Sequence, residues 1–422
     1  MPQFGVFPSF ASGTTPKLAD PDGVLAIVFG TAPVDQIADA AARPINEARV
    51  CESFADFEAQ FGEAPDGAFD TFTLSVAAEV LFNRYRVPRV LFVNVYDPDV
   101  HAGGVGDVDA ADVAGADDGA GTLTGIEVTE AVYEQTGYVP TVFLAPGFGT
   151  DASVTEALRN KAARNQRSFY GFALQDLAPA QDNATAAVAA KGTAGSGGAA
   201  LNDGHALPCW PAVTAQFSRA GESVTREEPA SLHAAGMLYT AAAENGGVPA
   251  SPSSQPLQAL RPAVALTRAD VYALRRAGIF TFGRRGRLGF AGQGNHTSAY
   301  LDGAPTAETV EDGLLNGDIA ARLAANALAN AAVLTLAEVL DAPLRKATLD
   351  RGLDALTLLG NRYKAEGATL GFSASYRPED NPADKLAAGE VTYRAEILPP
   401  PALETVHVPL SVNLGFFDSL AG

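Results

Sequence analysis

Arg89-Val-Leu-Phe-Val-Asn-Val95 carries only two polar side chains in seven residues, and its reading decides the fold class. A run this short and this apolar, ended by Tyr96-Asp-Pro98, reads as a strand buried on both faces. It has counterparts on either side: Val24-Leu-Ala-Ile-Val-Phe29 before it, and Thr141-Val-Phe-Leu-Ala145 and Phe169 to Leu174 after it. Helical spacing fills the gaps, over Ser53 to Phe61, Phe72 to Arg84, Leu123 to Gln135 and Ala152 to Asn165. Strands alternating with helices imply an α/β layer, with a mostly parallel sheet joined by right-handed crossovers.

Outward from this core the pattern changes. Residues 97–121 are dominated by Asp and Gly and read as a surface excursion. A Gly-rich loop at 192–198, an apolar run from Ala206 to Val213, a helix over Ala230 to Ala243 and a Pro/Ser loop at 249–256 follow. The last third holds an Ala-rich helix from Asp318 to Leu340 and a second over Leu344 to Lys364. Three β segments close it: Leu370 to Tyr376, Val391 to Ile397 and Thr405 to Leu414. In the last, Val406, Val408, Leu410 and Val412 alternate with polar residues and Pro409, after the hinge Leu398-Pro-Pro-Pro401. Pro409 removes a ladder donor, so this strand belongs at a sheet edge, and leaving through a proline hinge it can pair with another chain as readily as with its own. At the other end Phe4, Val6 and Phe10 alternate around Pro8, ahead of a Pro/Gly/Thr/Asp linker. Residues 1–20 therefore read as a second extended arm.

Forty-nine acidic against 29 basic residues give the 422-residue chain a net charge of −20, and 47% of it is hydrophobic. That composition excludes a disordered or collagen-like chain, and the field repels phosphate backbones and anionic lipid. Neither nucleic acid nor direct membrane insertion is expected. The first residues lack a basic region followed by an apolar run, so the expectation is synthesis in the cytoplasm without a secretory leader. Cys51 and Cys209 read as small buried hydrophobes.

The search for chemistry yields no catalytic, cofactor or metal residue. Gly147-Phe-Gly149-Thr-Asp-Ala152 follows a strand and opens a helix, as a dinucleotide loop does, but Pro146 stiffens the turn and Asp176 comes too late to hold a ribose. A structural turn is the better reading, and an α/β nucleotide-binding enzyme using that loop is the runner-up. No serine sits in G-x-S-x-G, and His101, His205, His233, His296 and His407 form no metal-binding spacing. The aspartates at 107, 109, 112, 117 and 118 fit no EF-hand and read as a solvated loop. Arg284, Arg285 and Arg287 put three guanidiniums on one loop, either solvated or pairing with a partner's carboxylates.

Several stretches carry a family likeness. Leu266-Thr-Arg-Ala-Asp-Val-Tyr-Ala-Leu274, Ala277-Gly-Ile-Phe-Thr-Phe-Gly-Arg-Arg-Gly-Arg287 and Gly294-Asn-His-Thr297 resemble the corresponding stretch of contractile tail sheath proteins of P2-like and Mu-like phages, a family with relatives in tailocins and other contractile injection systems. Pro378 to Tyr393 with Pro399 to Glu404 resembles the family's closing signature, and Val93 to His101, Leu123 to Gly125, Val139 to Gly149 and Cys209-Trp-Pro211 fit in order. Two features depart from it: the aromatic expected around Gly289 to Gly294 is replaced, and His296 stands where an Arg is usual.

The resemblance implies a structural protein with no cofactor: six-subunit rings stacked around an inner tube, contracting to drive the tube through a cell envelope. It also implies baseplate and tail terminator partners, a place in the virion tail after assembly in the host cytoplasm, and a subtilisin-like middle domain without the triad. The expected division is an arm at 1–20, an α/β part at 21–100, an acidic loop at 101–121 in place of an outer domain, a middle α/β domain at 122–300, an inner domain of two helices and strands at 301–398, and an arm at 399–422. Strand exchange is expected through Phe4, Val6, Val406, Val408, Leu410 and Val412. Tube or partner contact is expected through Arg345, Lys346 and Arg351 on the second inner helix and through Arg284, Arg285 and Arg287.

Overall fold

The computed structural model describes residues 23–65, 67–163, 169–192, 203–219, 222–301, 303–305, 309–404 and 407–413. Its first half runs β1 (Ala26–Gly30), β2 (Ala48–Cys51), α1 (Phe54–Phe61), α2 (Thr73–Ala78), β3 (Val90–Asn94), α3 (Ala110–Ala114), α4 (Val132–Thr136), β4 (Val142–Leu144), α5 (Ala152–Ala163), β5 (Phe172–Asp176), α6 (Ala184–Lys191) and β6 (Ala206–Cys209). The six strands form one sheet in the order β2-β3-β1-β4-β5-β6. All neighbours are parallel except the β2 edge, which runs antiparallel to β3.

Every residue of β1, β3 and β4 is buried, as the apolar runs require. Phe92 packs edge-on against Phe57 at 4.9 Å between centroids, and Phe57 stacks on Phe61 at 5.1 Å. Each such fully buried ring contributes roughly 1.5–3 kcal/mol. Asn94, the polar residue inside β3, is fully employed: its Oδ1 accepts from the Ala32 and Tyr96 amides and its Nδ2 donates to the Pro44 and Tyr96 carbonyls. Buried without these partners it would be costly; with them it pins three loops at the end of the strand.

The chain continues with β7 (Val213–Arg219), β8 (Glu222–Glu228), α7 (Ala230–Glu244), β9 (Arg261–Pro262), α8 (Arg268–Arg276), β10 (Thr281–Arg284), β11 (Phe290–Gln293), β12 (Tyr300–Leu301), β13 (Ala304–Pro305), α9 (Val310–Gly317), α10 (Ile319–Ala337), α11 (Lys346–Ala365), β14 (Gly371–Tyr376), α12 (Ala383–Ala387) and β15 (Tyr393–Leu398). The hairpin β7–β8 and the helix α6 were not expected from the sequence. The helix expected over Leu123 to Gln135 is mostly a 3-10 turn, Gly125–Ala131, with α4 after it. At its start Gly125 takes φ +54° against the backbone at the end of α3, where a Cβ would lie 2.4 Å from the Val113 carbonyl oxygen. The strand expected at 405–414 is not formed: residues 407–413 carry no regular structure, and 405, 406 and 414 lie outside the described residues.

Among the described residues α10 is the one helix long and apolar enough to span a bilayer. It serves here as a packing helix. Asp318 caps it, accepting from the Ala321 amide at 2.9 Å, and its apolar side packs on α11. Arg322, Asn326 and Asn330 recur every four residues along one stripe and are buried. Asn326 donates to the Gly171 carbonyl at 2.8 Å, and Asn330 exchanges two hydrogen bonds with the Tyr170 backbone at 2.7 and 2.9 Å. A polar seam therefore fastens α10 to the strand entering the six-stranded sheet.

Candidate functional site

The C-terminal arm leaves the body at a fixed point. Pro399 is buried, the Ala402 amide donates to the Asp318 carboxylate at 3.2 Å, and Glu404 reaches His296 Nε2 at 2.9 Å and Asn295 Nδ2 at 3.2 Å. His296 stacks flat on Tyr300 at 3.5 Å, its Nδ1 facing the Gly317 carbonyl at 3.2 Å. Burial lowers the His296 pKa against the pull of Glu404, and burial raises that of Asp318 against the amides it accepts. Past this clamp Val408, Leu410 and Val412 are 70%, 92% and 88% exposed, a row of apolar side chains that the described residues leave uncovered. Val406, Phe4 and Val6 lie outside the described residues.

The nearest unfinished structure is the sheet β14–β15. Its strands pair antiparallel along their whole length, Gly371 opposite Leu398 and Tyr376 opposite Tyr393, and no third strand joins them among the described residues. α11 covers one face at very short range: a Cβ on Gly360 would sit 2.0 Å from the Phe372 ring. Tyr393 donates to the Leu349 carbonyl at 3.0 Å, which fixes the strand over the helix. With no third strand among the described residues, the outer edges offer a template for an added strand.

The cations expected from the sequence fall into two places. Arg345, Lys346 and Arg351 sit at the start of α11, where Lys346 pairs with Asp350 at 2.9 Å on an exposed surface and Arg351 reaches the Glu338 carbonyl. Arg284 and Arg285 line a groove of about 950 Å³, and Arg287 stands exposed beside it on the same loop. The groove also gathers Arg261, Arg268 and Arg275, which sequence reading missed because they are scattered along the chain.

Two further clusters are internal. Arg84 and Arg226 bind Glu79 and Glu228 at 2.7 to 3.0 Å, Arg226 also binds Asp70 at 2.6 Å, and Glu228 accepts from His233 Nε2 at 2.9 Å. Tyr85 faces His233 Nδ1 at 3.0 Å. Burial raises the Glu228 carboxyl, but His233 and the two guanidiniums outweigh it and hold it at about 2; burial keeps His233 neutral. Both side chains are fully buried, so this resembles a catalytic relay only in composition. It closes the β7–β8 hairpin onto the helical turns Glu79–Arg84 that follow α2 and onto α7.

The loop Gly147–Thr150 borders a 250 Å³ cleft lined by Asp176, Glu227 and Glu228. Asp151 already accepts the Ser153 amide at the start of α5, where a phosphate would bind. The cleft therefore repels a pyrophosphate. Burial pushes Asp176 up to about 6, opposed by its hydrogen bonds from Ser231 at 2.5 and 2.9 Å. Among the described residues no group of three or more His, Cys, Asp or Glu is placed to hold a metal, and the aspartates of 97–118 are occupied by local turns and the capping box of α3.

Residues 121–291, from the approach to β4 through the first strand residues of β11, match the family model described as the phage tail sheath protein central domain. This segment is similar to a tail sheath central domain. The chain is also 26% identical over 324 residues to the tail sheath protein of Burkholderia phage BcepMu, an alignment covering 75% of this chain and 64% of the phage protein. The sheath fold extends well past the central domain. A chain in the cryo-EM structure of the anti-feeding prophage baseplate superposes with a TM-score of 0.65 at 17% identity, covering 98% of this chain and 100% of that one. A chain of the contracted PVC sheath complex, an extracellular contractile injection system, gives 0.64 at 13% identity over 99% of each. The α/β, multi-domain reading of the sequence is borne out.

Proposed function

We propose that this chain is the structural subunit of a contractile tail sheath, polymerising as stacked six-fold rings around an inner tube and contracting to drive that tube through a target envelope. The observation that carries it is a likeness to a contracted helical sheath chain over 98% of this chain, while Val408, Leu410 and Val412 stand exposed and no third strand joins β14–β15 among the described residues. The arm residues Val406, Val408, Leu410 and Val412, with Phe4 and Val6 at the other end, add strands to the open sheet of neighbouring subunits. Edge addition gains main-chain hydrogen bonds and covers the exposed apolar row. Contraction draws on new inter-subunit area and charge pairing, with the subunits tethered throughout and no nucleotide consumed. Arg345, Lys346 and Arg351 face the tube protein, and baseplate and terminator proteins hold the two ends of the stack in the virion tail. The likeness to the anti-feeding prophage and PVC chains equally favours a particle without a genome, a tailocin or a cellular injection device.

The test is negative-stain microscopy of the full chain and of a chain lacking residues 403–422. Hollow tubes or six-fold rings from the first, and a folded monomer from the second, are expected. Tubes from the truncated chain would overturn the tether, and compact monomers from the intact chain at every salt concentration would overturn the sheath.

A further inference from the structure

The arginine groove is the least explained feature of a strongly acidic molecule. Its walls come from α8, β10–β11 and the segments around 251–254 and 261–266, and Arg261, Arg268, Arg275, Arg284 and Arg285 all face it. Arg284 lies over the Phe290 ring at 4.7 Å and Arg285 meets Ser254, while Arg261, Arg268 and Arg275 have no carboxylate partner among the described residues. One acid, Glu404, lines the groove, and it is held by His296 and Asn295. Five guanidiniums within one concavity repel one another, a cost that an anionic occupant removes.

The same chain presents the matching surface. Residues 97–118 carry seven aspartates and no Lys or Arg. The segment is folded rather than loose: Asp109 and Asp112 make the capping box of α3, Val113 is buried, and Asp117 bridges Leu123. Among the described residues no Lys or Arg pairs with it, and His101 Nε2 meets Asp112 at 3.3 Å. The segment springs from the end of β3, whereas the groove lies beyond β6, to which Phe280 is bridged at Cys209. Three strands separate β3 from β6, about 19 Å at the usual strand spacing.

We propose that the acidic segment 97–118 of one copy docks in the arginine groove of the next. Because knob and groove are different surfaces, the contact is heterologous: repeated head to tail, it closes into a ring or advances as a helix. The contact rests on the reading of this chain as a self-assembling subunit, and it names one surface through which assembly proceeds apart from the arms. The guanidiniums set register and attraction between bodies that otherwise repel, so the contact weakens with salt.

Carbodiimide coupling tests it on the full chain. Arg268→Lys and Arg275→Lys keep the charge and supply amines, in a chain with only six native lysines. The carbodiimide takes up the water lost as each amide forms with a carboxylate. Equal parts of ¹⁴N- and ¹⁵N-labelled protein are assembled, coupled and mapped by mass spectrometry. Mixed-isotope peptides joining 97–118 to positions 268 or 275 are expected. The reversal Arg268→Glu with Arg275→Glu raises the concentration needed for assembly about tenfold or more, and adding Asp99→Lys with Asp117→Lys restores it. Tubes whose coupled peptides map elsewhere, or reversal variants that assemble like wild type, overturn the contact and leave the sheath reading standing. Coupling only to an added tube protein gives the groove to that partner instead. A wild-type chain that forms no rings or tubes, with a lysine variant that gives no mixed-isotope pairs at high concentration, overturns both.

Discussion

The chain contains two sheets built to opposite standards of completeness. The six-stranded sheet has fully buried central strands, helices on both faces and a satisfied polar residue in Asn94. The β14–β15 ribbon has α11 against it and no third strand among the described residues, and the chain beyond it carries Val408, Leu410 and Val412 in solvent. An isolated two-stranded ribbon is marginal in water, and here Phe372 and Ile397 hold it to a small cluster with α10 and α11. The first sheet is finished by its own chain; on the proposed function, the second is completed by a strand from another copy, so that the stable part and the exchangeable part are separate pieces of structure.

The comparison breaks first at the charge cluster behind the large sheet. Glu228→Ala leaves Arg84 and Arg226 buried beside unmatched charge and should destabilise the monomer by about 3–5 kcal/mol in urea or calorimetric unfolding, while leaving the arm and its pairing intact.

Acid acts on the same group. A carboxyl held at about 2, against roughly 4.3 unfolded, contributes stability that is present above the unfolded value and lost as pH falls toward 2, on the order of 3 kcal/mol in all. His233, kept neutral by burial, loses stability in the same direction as pH falls below the ordinary histidine value. Asp176 runs the other way: its carboxyl is held at about 6, so its contribution fades as pH rises from about 4 to 6. Unfolding followed from pH 7 to 2 should therefore steepen below pH 4.5 in the wild type and flatten in Glu228→Gln.

The seam between the two standards is the next target. Asn326→Ala or Asn330→Ala should cost about 1–3 kcal/mol each, because the Gly171 carbonyl or the Tyr170 backbone then loses its partner. Hydrogen exchange should speed up in α10 before it does in β1 or β3.

The smallest expected effect is at the arm root. Glu404→Ala removes a partly exposed pair with His296 and should change stability by less than about 1 kcal/mol, yet limited proteolysis should cut faster beyond Ala402. Equal cleavage rates would show that Asp318 alone holds the root.

The large sheet was legible because its strands are apolar on both faces, a signal that survives without knowing the neighbours. The hairpin β7–β8 was not, because Arg226 and Glu228 look like surface residues in sequence and are buried only by pairing with Arg84 and Glu79, more than 140 residues away. The exposed apolar row at 408, 410 and 412 was legible as alternation, although the strand expected there is not formed. The clamp of the arm was not legible, since His296 and Glu404 lie 108 positions apart. The loop of Arg284, Arg285 and Arg287 was visible as a cluster, but the groove it belongs to is assembled from α8 and β9 as well. Partners that lie on another chain leave only half of their pattern in this one.

The attachment of the arm has a mechanical side. Tension arriving through residues 407–413 does not pull on a free tail; it meets the body first at Glu404, held by His296 and Asn295, and then at Ala402, held by Asp318, the cap of α10. From there the load runs along a helix axis and passes through Asn326 and Asn330 into the strand leading to β5. A tug on one subunit's arm is thus delivered in shear to a row of hydrogen bonds at the rigid sheet.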